Sequence, residues 1–178
     1  EKEKHSPFSF RHFVLGTLAI FFYVGVEVGI ANFANLFMTQ SVDKGGLAID
    51  TTVAGTIAGT YWFLMLIGRL TGASLGAKFS SKSMLTFVSS LGILLILLAI
   101  FLPLSTTVNM PVFKSDISFG LAEVPIGIML MILCGLCTSV MWGNIFNLAV
   151  EGLGKYTAAA SGIFMVMVCG GGVLPLIQ

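Results

Sequence analysis

The chain has 178 residues, 56% of them hydrophobic and only 10% charged, with a mean hydropathy of +0.99. Soluble domains carry about a quarter charged residues, so this composition excludes water as the main solvent of the fold. A net charge of +1 gives no concentrated basic face, which excludes nucleic acid as a partner.

From the start of the chain, Glu1-Lys2-Glu3-Lys4-His5 is a charged opening before an apolar run too long for a signal-peptide core. It reads as a loop entering a membrane helix. Five apolar segments reach the ~20 helical residues that a bilayer core requires. They fall at about 13–38, 52–76, 83–104, 125–149 and 158–178, with polar breaks at 39–51, 78–82, 105–123 and 151–157. None of the runs alternates as a transmembrane strand does. The predicted fold class is therefore all-α integral membrane, with the lipid bilayer as its surroundings and five transmembrane helices.

Lys2, Lys4, Arg11, Lys78, Lys82 and Lys155 collect on one side of these spans. The other side has Lys44 and Lys114 among Asp43, Asp50, Asp116 and Glu123. The positive-inside rule predicts a cytoplasmic N-terminus, with the 77–82 and 150–157 loops on the same side. An odd number of spans puts the C-terminus outside. The last span reaches Gln178 without a polar exit, so the chain is expected to be cut short.

Polar groups inside the spans are the candidate functional residues, because ionisable groups at bilayer depth are costly and mark function by default. Glu27 stands near the middle of the first span, with Asn32 and Asn35 further along. At 100° per residue one narrow stripe cannot hold all three. Glu27 and Asn35 are placed to line one cavity, and Asn32 to face a neighbouring helix. In the second span Tyr61 and Trp62 offer an aromatic surface. Arg69 follows within Gly68-Arg69-Leu70-Thr71-Gly72, from which it is expected to snorkel to the inner interface in a structural or gating role. Gly68, Gly72 and Gly76 form a small-residue ladder for close helix approach.

The fourth span carries Trp142-Gly143-Asn144-Ile145-Phe146-Asn147. An aromatic ring beside carboxamides suits sugar recognition, the ring packing on C–H faces and the amides pairing with hydroxyls; an interfacial anchor is the competing role for Trp142. In the fifth span Gly170-Gly171-Gly172 and Pro175 weaken the helix. Such breaks mark moving parts of carriers, although helix packing explains the glycines equally well. Cys134 and Cys137 form a C-x-x-C without the second pair or histidines that a zinc site needs. Cys134, Cys137 and Cys169 read as small apolar packing residues, His5 and His12 are not expected to be ligands, and no metal or cofactor is expected.

Several of these stretches resemble one family. Tyr23-Val24-Gly25-Val26-Glu27-Val28 is similar to the seventh helix of the fucose/galactose/glucose:proton symporters of the major facilitator superfamily. Gly68-Arg69-Leu70-Thr71-Gly72 looks like the end of their eighth helix, and the 76–82 loop like a degenerate copy of the superfamily's basic loop motif. Trp142 to Gly154 resembles the tenth helix and its exit, and Gly170 to Gln178 the eleventh.

The resemblance implies a carboxyl-terminal half-bundle with five of its six helices, without the amino-terminal half and the last helix. It implies a secondary carrier in a bacterial inner membrane that imports a neutral hexose by cation-coupled symport. The coupling cation would be a proton, with sodium as a variant. Glu27, Asn32, Asn35, Tyr61, Trp62, Trp142, Asn144 and Asn147 are the candidate sugar-binding residues. Arg69, Gly72, Gly171 and Pro175 are the candidate gating or structural ones. Because a carboxamide stands at the Glu27 place in relatives, Glu27 is expected to act as a hydrogen-bonding group for sugar or a neighbouring helix. The competing functions are a carrier for another small solute such as an N-acetylated amino sugar, a channel or structural subunit, and a membrane transferase. The transferase lacks support, since no convergent nucleophile, acid/base or metal set is found.

Overall fold

Polar caps and prolines mark where the helices begin and end. The computed structural model describes residues 6–178, and the charged opening with Lys2, Lys4 and His5 lies outside them. Helix α1 runs Arg11–Thr39. Asp50 caps α2 (Thr51–Gly76), its Oδ1 accepting from Thr52 N at 2.8 Å. Ser80 caps α3 (Ser81–Phe101). Helix α4 is Ile126–Val150, and α5 is Thr157–Val166. Among the described residues five stretches are long and apolar enough to cross a membrane, the last being Gly154–Leu176 taken as one.

Cross-helix contacts fix the directions. His12 Nε2 lies 2.7 Å from Glu151 O, and the Tyr23 hydroxyl donates to Thr138 O at 2.8 Å, so α1 and α4 are antiparallel. Gly135 lies against Tyr61, Gly68 against Ser139 and Gly72 against Val140, which makes α2 parallel to α4. Gly92 faces Cys137 and Gly127 faces Ala99, so α3 runs opposite to α4. The chain therefore crosses back and forth, with α4 packed against α1, α2 and α3. Arg11, Lys78, Lys82 and Lys155 sit at one end; Lys44 and Lys114 sit at the other.

Two local expectations need correction. The first helix boundaries fall within two residues of expectation, but α3 stops at Phe101 rather than about 104, because Pro103 disfavours helix in the residue before it. The 105–123 break is not plain loop: β1 (Thr107–Phe113) and β2 (Phe119–Pro125) pair as an antiparallel hairpin. Its alternation buries Met110, Val112 and Val124 and exposes Asn109, Leu121 and Glu123. Phe113 N donates to Thr60 Oγ1 at 3.0 Å, and Phe63 stacks on Phe113 with ring centroids 4.4 Å apart. The final span, weakened by its glycines and Pro175, is interrupted after α5 by 3-10 turns at Met167–Cys169 and Leu174–Leu176 around a single helical turn, α6 (Gly170–Val173). Gly170 and Gly171 lie directly on Phe21 and Val24 of α1, so close packing accounts for these glycines, and Pro175 stands in the last 3-10 turn.

Two apolar clusters fill the bundle. Met38, Ile57, Tyr61, Val124 and Ile132 anchor the hairpin end. Phe13, Ile20, Ala149 and Phe164 anchor the opposite end. Helix α3 contributes little to either: Gly92 is its sole buried residue, while Phe87, Ile93, Leu94 and Ile100 are exposed, as a lipid-facing helix requires.

Candidate functional site

Between the two clusters, at mid-height of α1 and α2, the packing turns polar. Glu27 is buried, and its Oε1 lies 3.2 Å from Arg69 Nη2. Arg69 stands seven residues before the end of α2, and its guanidinium reaches α1. It does not follow the snorkelling expectation, because a carboxylate across the helix interface offers more than the distant interface. The same nitrogen approaches Met65 Sδ at 3.6 Å. Glu27 thus bonds a neighbouring helix, one of the two partners the sequence offered it, and that partner is a cation.

A second polar layer adjoins the pair. Tyr61 is fully buried, and its hydroxyl donates to Glu27 O at 3.0 Å. It also lies 3.2 Å from Thr138 Oγ1, which is within reach of Cys134 O at 3.1 Å. The Tyr23 bond to Thr138 O completes a tie among α1, α2 and α4. Thr138 was not singled out from the sequence; threonine within an apolar helix normally bonds its own preceding turn, so nothing in its local pattern betrays a hub. Among the described residues no buried side-chain nitrogen or oxygen lacks a partner.

From Arg69 a cleft of about 660 Å³ runs toward the Lys78 end, between α2 and α4. Arg69, Gly72, Trp142, Asn144 and Asn147 line it, with Met84 from α3. That volume lies within the roughly 300–1,000 Å³ range of small-molecule sites. Trp142 stacks on Phe146 at 5.5 Å with 11° between planes, and Phe164 meets both rings edge-on. Asn144 is buried and donates from Nδ2 to Val140 O at 2.7 Å, leaving its carbonyl oxygen as acceptor. Asn147 is exposed and contacts Ser81 Oγ at 3.5 Å.

The remaining candidates lie elsewhere. Asn32 is exposed on the chain's surface and Asn35 is half-buried; neither lines the cleft. Tyr61 and Trp62 form no shared aromatic surface, because adjacent helical residues point 100° apart. Tyr61 faces the core, while Trp62 is 45% exposed and edge-on to it. Gly171 and Pro175 belong to the broken final span, away from the cleft. Among the described residues no three His, Cys, Asp or Glu side chains gather as a metal set, and Cys134 and Cys137 are buried free thiols.

The backbone path of this chain has a counterpart among solved structures. It matches the crystal structure of a major facilitator superfamily transporter, FucP, in the outward conformation, with a TM-score of 0.72 over 94% of this chain. The fold is a major facilitator fold. Sequence identity in that match is 21%, and 34% of the solved chain is covered. Among curated proteins the whole chain is 29% identical to a glucose/galactose transporter of Brucella abortus biovar 1. It is 33% identical over its whole length to a putative glucose/galactose transporter of Helicobacter pylori strain J99. The chain spans 38% of the length of each of these relatives. No protein-family model matches. The resemblance read from the scattered motifs is thus borne out by relatives similar along the whole of this chain, and those relatives are named as transporters.

Proposed function

We propose that these helices are part of the carboxyl-terminal half of a secondary carrier that imports a neutral hexose by alternating access, coupled to a cation, with a proton as the first choice. The observation that carries this reading is the cleft on the α2–α4 face, which Trp142, Asn144 and Asn147 line together with Arg69. An aromatic face with carboxamide and guanidinium donors matches the alternating C–H and hydroxyl surface of a sugar. Similarity along the whole of this chain to a glucose/galactose transporter and to a putative one supports the substrate class. The lysine-rich end is assigned to the cytoplasm of a bacterial inner membrane, which would make the cleft open inward. Asn35, Asn32 and Trp62 are then proposed to meet sugar or the rest of the carrier, and Gly171 and Pro175 to flex during the transition.

Counterflow of a labelled sugar panel into proteoliposomes of the complete carrier tests the proposal. Glucose or galactose should exchange, and an imposed inward proton gradient should drive accumulation. Exchange of N-acetylated amino sugars alone would transfer the reading to that class. Accumulation that needs a sodium gradient instead would replace the proton.

A further inference from the structure

Arg69 presents a planar fork of five N–H donors. Both of its contacts, to Glu27 Oε1 and Met65 Sδ, use Nη2. Nη1 and Nε have no hydrogen-bond partner among the described residues, although the side chain is 55% exposed and lines the cleft. Glu27 is placed differently. Its side chain is 9% exposed and does not line the cleft, so it stands behind the guanidinium. The two opposite charges make a neutral unit whose open edge bears hydrogen-bond donors.

We propose that Arg69 binds the sugar directly and that Glu27 is a positioning residue which restricts the cleft to neutral sugars by cancelling the Arg69 charge. Two neighbouring sugar hydroxyls accept from the free edge of the fork, while Trp142 and Asn144 meet the rest of the ring. A hexuronate is disfavoured because its carboxylate must compete with Glu27 for the same cation and brings a second negative charge to the pair. Without the Glu27 charge, the guanidinium would be an uncompensated cation at membrane depth, costly in itself, and would favour a two-point bond to a carboxylate. Glu27 would thus set the sign of charge the site accepts without touching the solute. This inference rests on the hexose-carrier reading and assigns its specificity.

The test is calorimetric titration of the complete carrier in nanodiscs with galactose and with galacturonate, for wild type, Glu27→Gln, Arg69→Gln and Arg69→Lys. In Glu27→Gln the ratio of galacturonate to galactose affinity should rise roughly ten- to hundredfold, the size associated with charge-assisted hydrogen bonds. Arg69→Gln should lose galactose affinity by about tenfold or more. Arg69→Lys keeps the charge opposite Glu27 but lacks the fork, so it should fold as wild type and still bind galactose weakly. A wild-type carrier that binds no neutral hexose would defeat the function proposed above. Wild-type galactose binding with an unchanged ratio in Glu27→Gln, or with full galactose affinity in Arg69→Lys, would overturn the present inference while leaving that function intact.

Discussion

Thr138 holds three helices through two different atoms. Its carbonyl takes the Tyr23 hydroxyl from α1, and its hydroxyl adjoins the Tyr61 hydroxyl from α2. Tyr61→Phe keeps the buried ring and removes only the hydroxyl, so it should cost about 0.6–1.7 kcal/mol, the range for hydrogen bonds between membrane helices. The corresponding fall in Tm, measured on purified protein in detergent, should be small and without change in secondary structure. Asn144→Ala belongs to the same scale but to a different role. Its own-helix bond to Val140 O contributes little to the fold, so the variant should remain stable while sugar affinity in a calorimetric titration falls. Unchanged affinity would remove Asn144 from the site. Glu27 and Arg69 were legible individually, since each is expensive at membrane depth. Their pairing was not, because sequence spacing fixes rotation within a helix and says nothing of rotation between two.

At the scale of elements, the small-residue ladder of α2 divides in two. Gly68 and Gly72 lie directly on Ser139 and Val140, and a Cβ at either place would overlap those side chains. Gly76 meets nothing within 4 Å, because α2 and α4 have separated around the cleft by that turn. On the α4 side, Gly135 lies against α2 backbone, where a Cβ would stand 2.7 Å from Tyr61 O. Gly135→Ala should therefore destabilise markedly, with Gly143→Ala, which has open space, as the neutral control; thermal melts of both decide it. The cap of α2 predicts a pH dependence. Thr52 N and Val53 N donate to Asp50 and hold its carboxyl below the usual carboxylate range. A lowered folded-state pKa gives stabilisation that is present above the unfolded pKa and lost as pH falls through the folded one. Asp50→Ala should lower Tm at neutral pH, and the gap to wild type should close in acid. The hairpin was visible as alternation in Thr107-Val108-Asn109-Met110-Pro111-Val112, yet its polar residues read as a break. What makes it fold is the α2 surface around Thr60 and Phe63, a tertiary partner that spacing alone does not reveal.

For the whole molecule, five apolar runs foretold the back-and-forth architecture, because each run must satisfy its backbone internally in lipid. The cleft was less legible: it depends on where α2 and α4 part, and Asn32 and Asn35 share the polar character of Asn144 without its location. Sidedness is open to direct measurement. Cysteines introduced at Ser80 and at Ser115 in the hairpin turn should label from opposite faces of the membrane with an impermeant thiol reagent, and labelling from one face would overturn the topology. The spans also differ in length. Helix α1 has 29 residues and α3 has 21, about 43 Å and about 31 Å at 1.5 Å per residue. A long span absorbs a thin bilayer by tilting, but a short one has no such freedom. Helix α3, short and exposed along most of its surface, is therefore expected to be the element most sensitive to acyl-chain length. Each ångström of hydrocarbon beyond its reach costs a fraction of a kcal/mol, so the protein should lose thermal stability as the reconstituting lipid is lengthened stepwise beyond a core of about 30 Å. Extending α3 by three leucines after Leu97 should shift that limit toward thicker membranes.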